Sequence, residues 1–175
     1  MKRIAVLSDT HGYLDEGILR HIRDCDEAWH AGDIGSAEVS EALQACAPLR
    51  AVYGNIDGGE LRQMHPEHLH MDCEGIRVWM THIGGKPGRY SPAIRAGLAK
   101  HKPDLFICGH SHICMLQRDK QFGHIHMNPG AAGRHGFHQK RTLIKMELEK
   151  GKIAAMKVVE LGGRSSRSPE DKRNT

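Results

Sequence analysis

Paired ligand-type side chains, two residues apart, are the first feature of this sequence that suggests chemistry. Asp9 and His11 join a carboxylate to an imidazole, and His110 and His112 join two imidazoles in the same way. In an extended segment residues i and i+2 project to the same side, so the members of each pair are predicted to face one centre. Divalent metal ions of borderline hardness accept imidazole nitrogen together with carboxylate oxygen. The spacing therefore predicts metal binding.

Three more residues that can ligate a metal complete the predicted set. The predicted ligands are Asp9, His11, Asp33, Asn55, His82, His110 and His112. Two ions about 3.5–4 Å apart can hold both the attacking and the leaving oxygen of a phosphoryl displacement, and this set is large enough for two ions. Asp33 is the carboxylate expected to bridge them. Gly32, Gly54 and Gly109 directly precede ligands, where the lack of a Cβ lets the backbone turn sharply or approach closely.

Each of these motifs has a simpler structural interpretation when taken alone. Asp-Thr-His at 9–11 is often a turn, and Gly-Asp and Gly-Asn are common turn dipeptides. His30 lies on a predicted strand, where a hydrogen-bonded core histidine is favoured over a ligand, and Trp29 and Trp79 are assigned to the core because they also lie on strands. The recurrence of ligand types after five predicted strands favours a metal site over five unrelated turns.

Elements of alternating type position the first ligands. Predicted strands cover residues 4–7, 27–30 and 49–53, and predicted helices cover 16–23 and 37–47, the second stopped by Pro48. Each of the three strands delivers polar residues at its C-terminal end, which is where ligands bind in parallel α/β sheets. The three loops are therefore predicted to converge on one site.

Antiparallel pairs dominate the second half of the predicted structure. Predicted strands cover 68–73, 77–81, 104–108, 115–118, 124–127, 142–148 and 153–160, and a predicted helix covers 91–100 with Ser91 as its cap. No linker or long internal repeat divides the chain, so one domain is predicted over 1–161. Residues 162–175 combine Gly, Ser, Pro and charge without an apolar period, which predicts a disordered tail.

Composition indicates an ordinary globular protein. The 175 residues fit one domain, and 39% hydrophobic and 26% charged residues argue against the fibrous and wholly disordered classes. The net charge of +4 does not by itself indicate nucleic acid. Five cysteines without a C-x-x-C pair argue against a disulfide framework, and the N-terminal apolar run is too short for a signal peptide or a membrane span. We therefore expect a cytoplasmic protein without membrane association.

The ordered motifs resemble those of the calcineurin-like metallophosphoesterase superfamily, and most of all its small single-domain bacterial and archaeal phosphodiesterases. The motifs are Asp9-x-His11, Gly32-Asp33, Gly54-Asn55-x-Asp57, His82 and Gly109-His110-x-His112, and the resemblance extends to about Leu148. It implies an α/β fold, a four-layer α/β/β/α sandwich of two mixed β-sheets flanked by helices.

The same resemblance implies a dinuclear centre at the strand ends. One ion would be held by Asp9, His11, Asp33 and His112, and the other by Asp33, Asn55, His82 and His110. Two divalent ions are the expected cofactors. Mn²⁺ is favoured, and Ni²⁺, Fe²⁺ or Zn²⁺ are compatible because mixed nitrogen and oxygen ligands do not choose sharply among these metals.

The activity implied by the resemblance is hydrolysis of a phosphodiester, or less readily of a monoester, by a hydroxide that bridges the two ions. Asp33 and Asn55 are the predicted catalytic residues, because the Asn55 amide can ligate a metal and also donate a hydrogen bond to a phosphoryl oxygen. Many relatives carry a histidine after this asparagine, where it protonates the leaving group, but this chain has Ile56. The candidates for the general acid are His65, His135 and His138.

Two further residues are tied to the site by prediction. Asp57 either orients His11 or holds its own loop, and Arg134 is a candidate contact for a substrate phosphate. The expected partner is a small phosphodiester. Two alternatives are a nuclease and a non-catalytic scaffold. A nuclease needs a basic groove, and the sequence displays none outside the tail. The retromer scaffold subunit is similar in fold to the same superfamily, but it serves partner binding instead of catalysis. A homodimer is expected from the exposed strand edges of a two-sheet fold.

Overall fold

The computed structural model describes residues 1–165, which form two β-sheets with helices on their outer faces. The strands are β1 (Lys2–Leu7), β2 (Glu27–His30), β3 (Leu49–Ala51), β4 (His68–Cys73), β5 (Ile76–Thr81), β6 (Leu105–Ile107), β7 (Met115–Arg118), β8 (Ile125–Asn128), β9 (Lys140–Glu149) and β10 (Lys152–Gly163). The helices are α1 (Glu16–Arg23), α2 (Ala37–Cys46), α3 (Gly59–Met64) and α4 (Pro92–His101).

Both sheets are mixed and have a parallel part that leads towards one edge of the sandwich. The first sheet has the order β10-β9-β1-β2-β3, in which β1, β2 and β3 are parallel and β9 and β10 add antiparallel strands. The second has the order β4-β5-β6-β8-β7, in which β5, β6 and β8 are parallel and the two edge strands are antiparallel. The predicted α/β class with two mixed sheets is confirmed.

Alternation along the strands explains the layers. In β1, Ile4 and Val6 point into the core between the two sheets, whereas Ala5 and Leu7 belong to the core that packs beneath α1 and α2. On the outer face of the second sheet, Ile94 and Leu98 of α4 pack with Trp79. Three apolar layers thus separate four layers of secondary structure, in the order α/β/β/α.

Most predicted elements are present, and the differences have local causes. Helix α3 was not predicted, because its six residues Gly-Glu-Leu-Arg-Gln-Met are too short and polar to show a helical period. Strand β10 continues through Gly163, which pairs with Lys140, so the first two residues of the predicted tail belong to the sheet. Arg164 and Ser165 form a turn after β10, and residues 166–175 of the predicted tail lie outside the described residues.

Two other predictions concern helix ends and membranes. The Ser91 hydroxyl accepts a hydrogen bond from the backbone N–H of Ile94 at 3.3 Å, as expected of the cap of α4. Over residues 1–165, none of the helices combines the length and the apolar character needed to cross a bilayer.

An ion-pair cluster around the buried carboxylate of Glu27 ties together the three parallel strands of the first sheet at the end opposite to their loops. The Glu27 carboxylate accepts hydrogen bonds from Lys2 Nζ at 2.6 Å, Arg50 Nε at 2.8 Å and Trp29 Nε1 at 2.8 Å. Burial by itself would raise the pKa of Glu27, but these donors outweigh it and lower the pKa to about 2.

We therefore expect Glu27→Gln to lower the free energy of unfolding at neutral pH by about 2–3 kcal/mol, because a carboxyl pKa lowered on folding stabilises the native state. This contribution is complete above the ordinary pKa of 4.5 and disappears as the pH falls towards 2. Urea unfolding at several pH values measures it. Glu16→Gln, which removes the exposed pair with Arg23, is the control and should change little. An unchanged Glu27→Gln protein at pH 7 would contradict the assignment.

Candidate metal centre

The seven predicted ligands converge at one edge of the sandwich, where the C-terminal ends of parallel strands from both sheets meet. Six of them form two groups whose ligand atoms lie within 4.8 Å of one another. One group is Asp9, His11 and His112, and the other is Asp33, His82 and His110. Asn55 adjoins the second group, because its Oδ1 lies 3.0 Å from His110 Nδ1.

Asp33 lies between the two groups. Its Oδ2 is 3.5 Å from His11 Nε2 in the first group, and its Oδ1 is 3.2 Å from His82 Nε2 in the second. Asp9 Oδ1 lies 3.2 Å from His112 Nε2 and 3.9 Å from His82 Nε2. Asp33 is therefore the carboxylate whose two oxygens face different groups, as a bridging ligand requires.

Hydrogen bonds within each sheet and across the seam between the sheets hold the loops in this arrangement. The backbone N–H of His110, after β6 of the second sheet, donates to Asp9 Oδ2, after β1 of the first, at 3.2 Å. The N–H of Asp9 donates to the carbonyl of Gly32 at 3.0 Å, and the N–H of Gly109 donates to that of His82 at 2.9 Å. Each ligand loop is thus tied to a neighbouring one.

The loops are not extended, which changes one prediction. Positive φ angles occur at five ligand positions: Asp9, His11, Asp33, His110 and His112. His110 and His112, with φ of 68° and 59°, consequently lie in different groups. This division agrees with the assignment implied by the resemblance, and only the expectation from their spacing, that both face one centre, is wrong. Left-handed backbone at non-glycine residues costs about 1–2 kcal/mol each, and it is tolerated here because the cross-sheet hydrogen bonds fix the loops.

The ligand atoms have the surroundings expected of a metal site. Asp9, Asp33 and His82 are 0%, 3% and 3% exposed. Within residues 1–165, no hydrogen-bond partner is found for the buried atoms Asp9 Oδ1, His11 Nε2 and His82 Nε2. Buried carboxylates are costly unless a cation compensates them. The residues present therefore fit a pair of divalent ions.

The orientation of His82 is fixed from behind. Its Nδ1 lies 2.8 Å from the carbonyl oxygen of Ala31, so this nitrogen carries the proton and donates, and the lone pair of Nε2 faces the site. His30, directly before Ala31, is buried and satisfied: its Nδ1 accepts from the Gly32 N–H at 3.1 Å, and its Nε2 lies 2.9 Å from Thr10 Oγ1. Burial lowers the pKa of His30 to about 4, as expected of a neutral core histidine.

The ionisation of Asp33 and His11 favours binding of cations, whereas that of His82 opposes it. Burial would raise the pKa of Asp33, but the close contact with His82 and the N–H of Ile56 lower it. Burial lowers the pKa of His11 despite the nearby Asp33 and Asp9 charges. Burial would also lower the pKa of His82, yet the contact with Asp33 and the two carboxylate charges raise it. In the metal-free protein the pKa of His82 is therefore raised, and a metal ion must displace a proton from this ligand.

Asp57 holds loops rather than orienting His11. Its carboxylate accepts three backbone hydrogen bonds, from Gly54 at 2.7 Å, Gly35 at 2.8 Å and Ile34 at 3.1 Å. Ile34 and Gly35 belong to the loop after β2, whereas Gly54 belongs to the loop after β3. Of the two roles predicted for Asp57, loop holding is the one supported, and it fixes the segments that carry Asp33 and Asn55.

An open cavity of about 530 Å³ lies over the ligands. Besides His11, Asp33, Asn55, His110 and His112, it is lined by Ile56, Ser111, Ile113, His135, Gly136, Phe137 and His138. His135 and His138 are thus near the chemistry, whereas His65 is turned away and hydrogen-bonds to Ser40 Oγ at 2.7 Å. Sequence analysis did not identify Ile113 and Phe137, because single apolar residues in loops carry no recognisable pattern.

The predicted substrate contact Arg134 lies beside the cavity. Its guanidinium stacks over the Tyr13 ring at 4.4 Å, and Arg141 approaches the same ring at 5.2 Å. Among the described residues, Arg134 is not part of the cavity lining. Its contact with a substrate phosphate stays a prediction.

Gly54 is required by space, which gives a direct test of the site. A Cβ at Gly54 would lie 2.0 Å from Asp33 Oδ1 and 2.2 Å from Asp33 N, whereas one at Gly58 would meet nothing within 4 Å. We expect Gly54→Ala to lower the free energy of unfolding by about 1–3 kcal/mol and to weaken metal binding, because Asp33 must move. Gly58→Ala is the matched control. Equal metal stoichiometry in both variants, measured by elemental analysis after dialysis, would contradict the geometry.

Metal binding should release protons near neutral pH, because the raised pKa of His82 means that the metal must displace a proton from it. Apparent affinity is therefore expected to fall as the pH drops through that pKa. Calorimetry of Mn²⁺ binding in buffers of different ionisation enthalpy counts the protons. His82→Gln should release fewer, and the remote His101→Gln should behave as wild type. Identical proton release in wild type and His82→Gln would refute this explanation.

Comparison with known proteins agrees with the geometry. The chain is 28% identical over 136 residues to a probable metallophosphoesterase from Methanothermobacter thermautotrophicus, covering 73% of this chain and 76% of the relative. Its fold is similar to that of Vps29 from Entamoeba histolytica, solved with Zn²⁺, with a TM-score of 0.70 and 16% identity, covering 91% of this chain and 99% of that one.

A structure described as a novel archaeal phosphodiesterase also shares the fold, with a TM-score of 0.69 and 20% identity, covering 90% of this chain and 99% of that one. At these identities the two structures establish the fold alone. The sequence match is more specific, because residues 1–151 match the calcineurin-like phosphoesterase superfamily domain. The chain that carries this pair of ligand groups at its strand ends belongs to the calcineurin-like phosphoesterase superfamily.

Proposed function

We propose that this protein is a dinuclear metal-dependent phosphodiesterase that hydrolyses a small phosphodiester. The observation that carries the proposal is the pair of adjacent ligand groups with Asp33 between them, beneath an open cavity. A cavity of about 530 Å³ lies in the range of small-molecule sites. The archaeal phosphodiesterase of the same fold supports the choice of a diester.

In this proposal the two groups each hold one ion. Asp9, His11, Asp33 and His112 would hold the first, and Asp33, Asn55, His82 and His110 the second. Mn²⁺ is the favoured metal, with Ni²⁺, Fe²⁺ and Zn²⁺ as alternatives, because imidazole and carboxylate ligands suit them all. When bound, such ions supply Lewis acidity to the phosphoryl oxygens and lower the pKa of water towards neutrality.

The residues of the chain then have distinct tasks. Asp33 supplies negative charge to both groups, and the Ala31 carbonyl keeps the His82 lone pair directed at the site. The Asn55 side chain lies at the cavity with its Oδ1 towards His110, which leaves its amide N–H groups to donate to a phosphoryl oxygen. Asp33 and Asn55 are accordingly the proposed catalytic residues.

The leaving group determines which esters react. Ile56 occupies the position where many relatives have a proton-donating histidine, and its side chain cannot donate. His138 Nε2 hydrogen-bonds to the Gly133 carbonyl at 2.9 Å, whereas the exposed His135 ring lies 4.7 Å from that of His11. His135 is therefore the better placed candidate for the proton donor. Because Ile56 itself cannot donate a proton, esters of acidic alcohols should react fastest.

The alternatives predict other surfaces. A nuclease needs cations along a groove, whereas the cavity carries the apolar Ile56, Ile113 and Phe137. A partner-binding scaffold would not need a second complete ligand group.

A cytoplasmic location and a homodimer are further parts of the proposal.

Hydrolysis of bis-p-nitrophenyl phosphate by metal-stripped protein, before and after addition of Mn²⁺, tests the proposal. We expect diester turnover that requires added metal, exceeds turnover of p-nitrophenyl phosphate, and falls at least about 100-fold in Asp33→Asn, because the shared carboxylate is lost. His101→Gln, which changes a histidine outside the centre, should retain the wild-type rate.

Calorimetry on the same preparations should give two Mn²⁺ ions per chain. If fully loaded protein hydrolyses neither compound, the phosphodiesterase proposal fails and partner binding becomes the better explanation. One ion per chain would refute the dinuclear centre while leaving a mononuclear esterase.

A further inference from the structure

A second, smaller cavity of about 290 Å³ adjoins the cavity over the metal ligands. The two share His110, Ser111 and Ile113 as a common wall. The side cavity is otherwise lined by Ile83, Gly85, Lys86, Gly109, Met115, His126 and Asn128. A group bound there would therefore share this wall with a phosphoryl group at the ligand centre.

The walls of the side cavity are apolar and accessible. Ile83 is 54% exposed and Ile113 is 62% exposed, and Met115 completes the wall from β7. Exposed isoleucines are unfavourable in water and are informative when they cluster around a concave site. Among the described residues, eight large hydrophobic side chains are exposed, and four of them line these two cavities: Ile56, Ile83, Ile113 and Phe137. The apolar surface is concentrated at the site.

The floor of the side cavity offers little polarity, because its polar groups are already engaged. The Asn128 amide donates to the Gly109 carbonyl at 2.8 Å and to Ser111 Oγ at 3.0 Å, and its Oδ1 accepts from the Gly130 N–H. His126 is buried, with Nδ1 3.3 Å from the Tyr90 hydroxyl. Burial lowers the pKa of His126 to about 4, so this ring is uncharged at neutral pH. An uncharged, flat group suits such a floor.

We propose that the side cavity binds the aromatic base of a nucleotide-type ester, so that the base lies between Ile83, Ile113 and Met115 while its phosphate lies at the ligand groups. The proposal rests on the phosphodiesterase function for the position of the phosphate. A volume of about 290 Å³ is small for a ligand site and suits one ring system. Lys86, at the mouth, is the one cationic side chain in the described lining and can donate to acceptors on the ring edge.

Binding to full-length, Mn²⁺-loaded protein tests the proposal without relying on turnover. Adenosine 5′-monophosphate and methyl phosphate carry the same phosphate charge and differ in the nucleoside, so the ratio of their calorimetric affinities measures the side cavity. We expect adenosine 5′-monophosphate to bind at least about tenfold tighter. Ile83→Ser and, separately, Met115→Ala should each bring the ratio towards one, because apolar contact with the base is lost.

Leu116→Ser is the matched control, because Leu116 neighbours Met115 on β7, is 37% exposed and lies outside both cavities among the described residues. It should keep the wild-type ratio. Mn²⁺ stoichiometry and thermal unfolding of each variant show that the ligand groups and the fold are intact. Ile83 directly follows the proposed ligand His82, so a reduced ratio in Ile83→Ser alone does not separate the cavity from the ligand. Met115 is not adjacent in sequence to any proposed ligand, so Met115→Ala tests the cavity independently.

A wild-type ratio near one, or an equal loss in Leu116→Ser, would overturn the base-binding proposal. It would also be overturned if Ile83→Ser changed the oligomeric state measured by light scattering and not the ratio, because the surface would then be an interface between copies. Hydrolysis of bis-p-nitrophenyl phosphate with a ratio of one leaves the phosphodiesterase and removes the base site. A high ratio that Ile83→Ser abolishes, without diester hydrolysis, supports the base site and removes the phosphodiesterase.

Discussion

Buried negative charge at the seam between the two sheets is the constraint on which the rest of the structure depends. Asp9 and Asp33 are almost fully buried, and the groups that face them are mainly imidazoles. Carboxylates in such surroundings are stable only if a positive charge lies close, as a protonated histidine or as a metal ion. The edge of the sandwich is therefore a cation site first, and its chemistry follows from the ions that the site selects.

The sandwich is the means by which these ligands meet. The ends of β1, β2 and β3 supply ligands from one sheet, and the ends of β5 and β6 supply them from the other. The cross-sheet bond from the His110 N–H to Asp9 Oδ2 joins the two halves directly. Because the left-handed backbone of the ligand loops is unfavourable locally, the site exists only when both sheets are packed. The geometry of the centre therefore depends on the stability of the core.

Exposed apolar side chains surround the polar ligands of the centre. The loops that carry ligands also present Ile56, Ile83 and Ile113 to solvent, immediately after Asn55, His82 and His112. In the proposed function, the ligands would fix where a phosphoryl group lies, and these neighbours would contact what is attached to it. Specificity and chemistry would then be encoded in adjacent residues of the same loops, with the fold deciding which cavity each apolar side chain enters.

The sequence by itself determined the ligand types, their order and the strands that precede them, because buried strands have a local apolar signature and each ligand follows a strand directly. It also placed His30, Trp29 and Trp79 in the core, where all three are buried. Only the tertiary structure decided that Asp57 holds loops rather than His11 and that Ile113 faces two cavities. It also explains why His110 and His112, which their spacing alone would group together, lie in the different groups that the resemblance implies. These outcomes depend on φ angles and on contacts between residues distant in the chain, such as His110 with Asp9, and a local pattern carries no information about either.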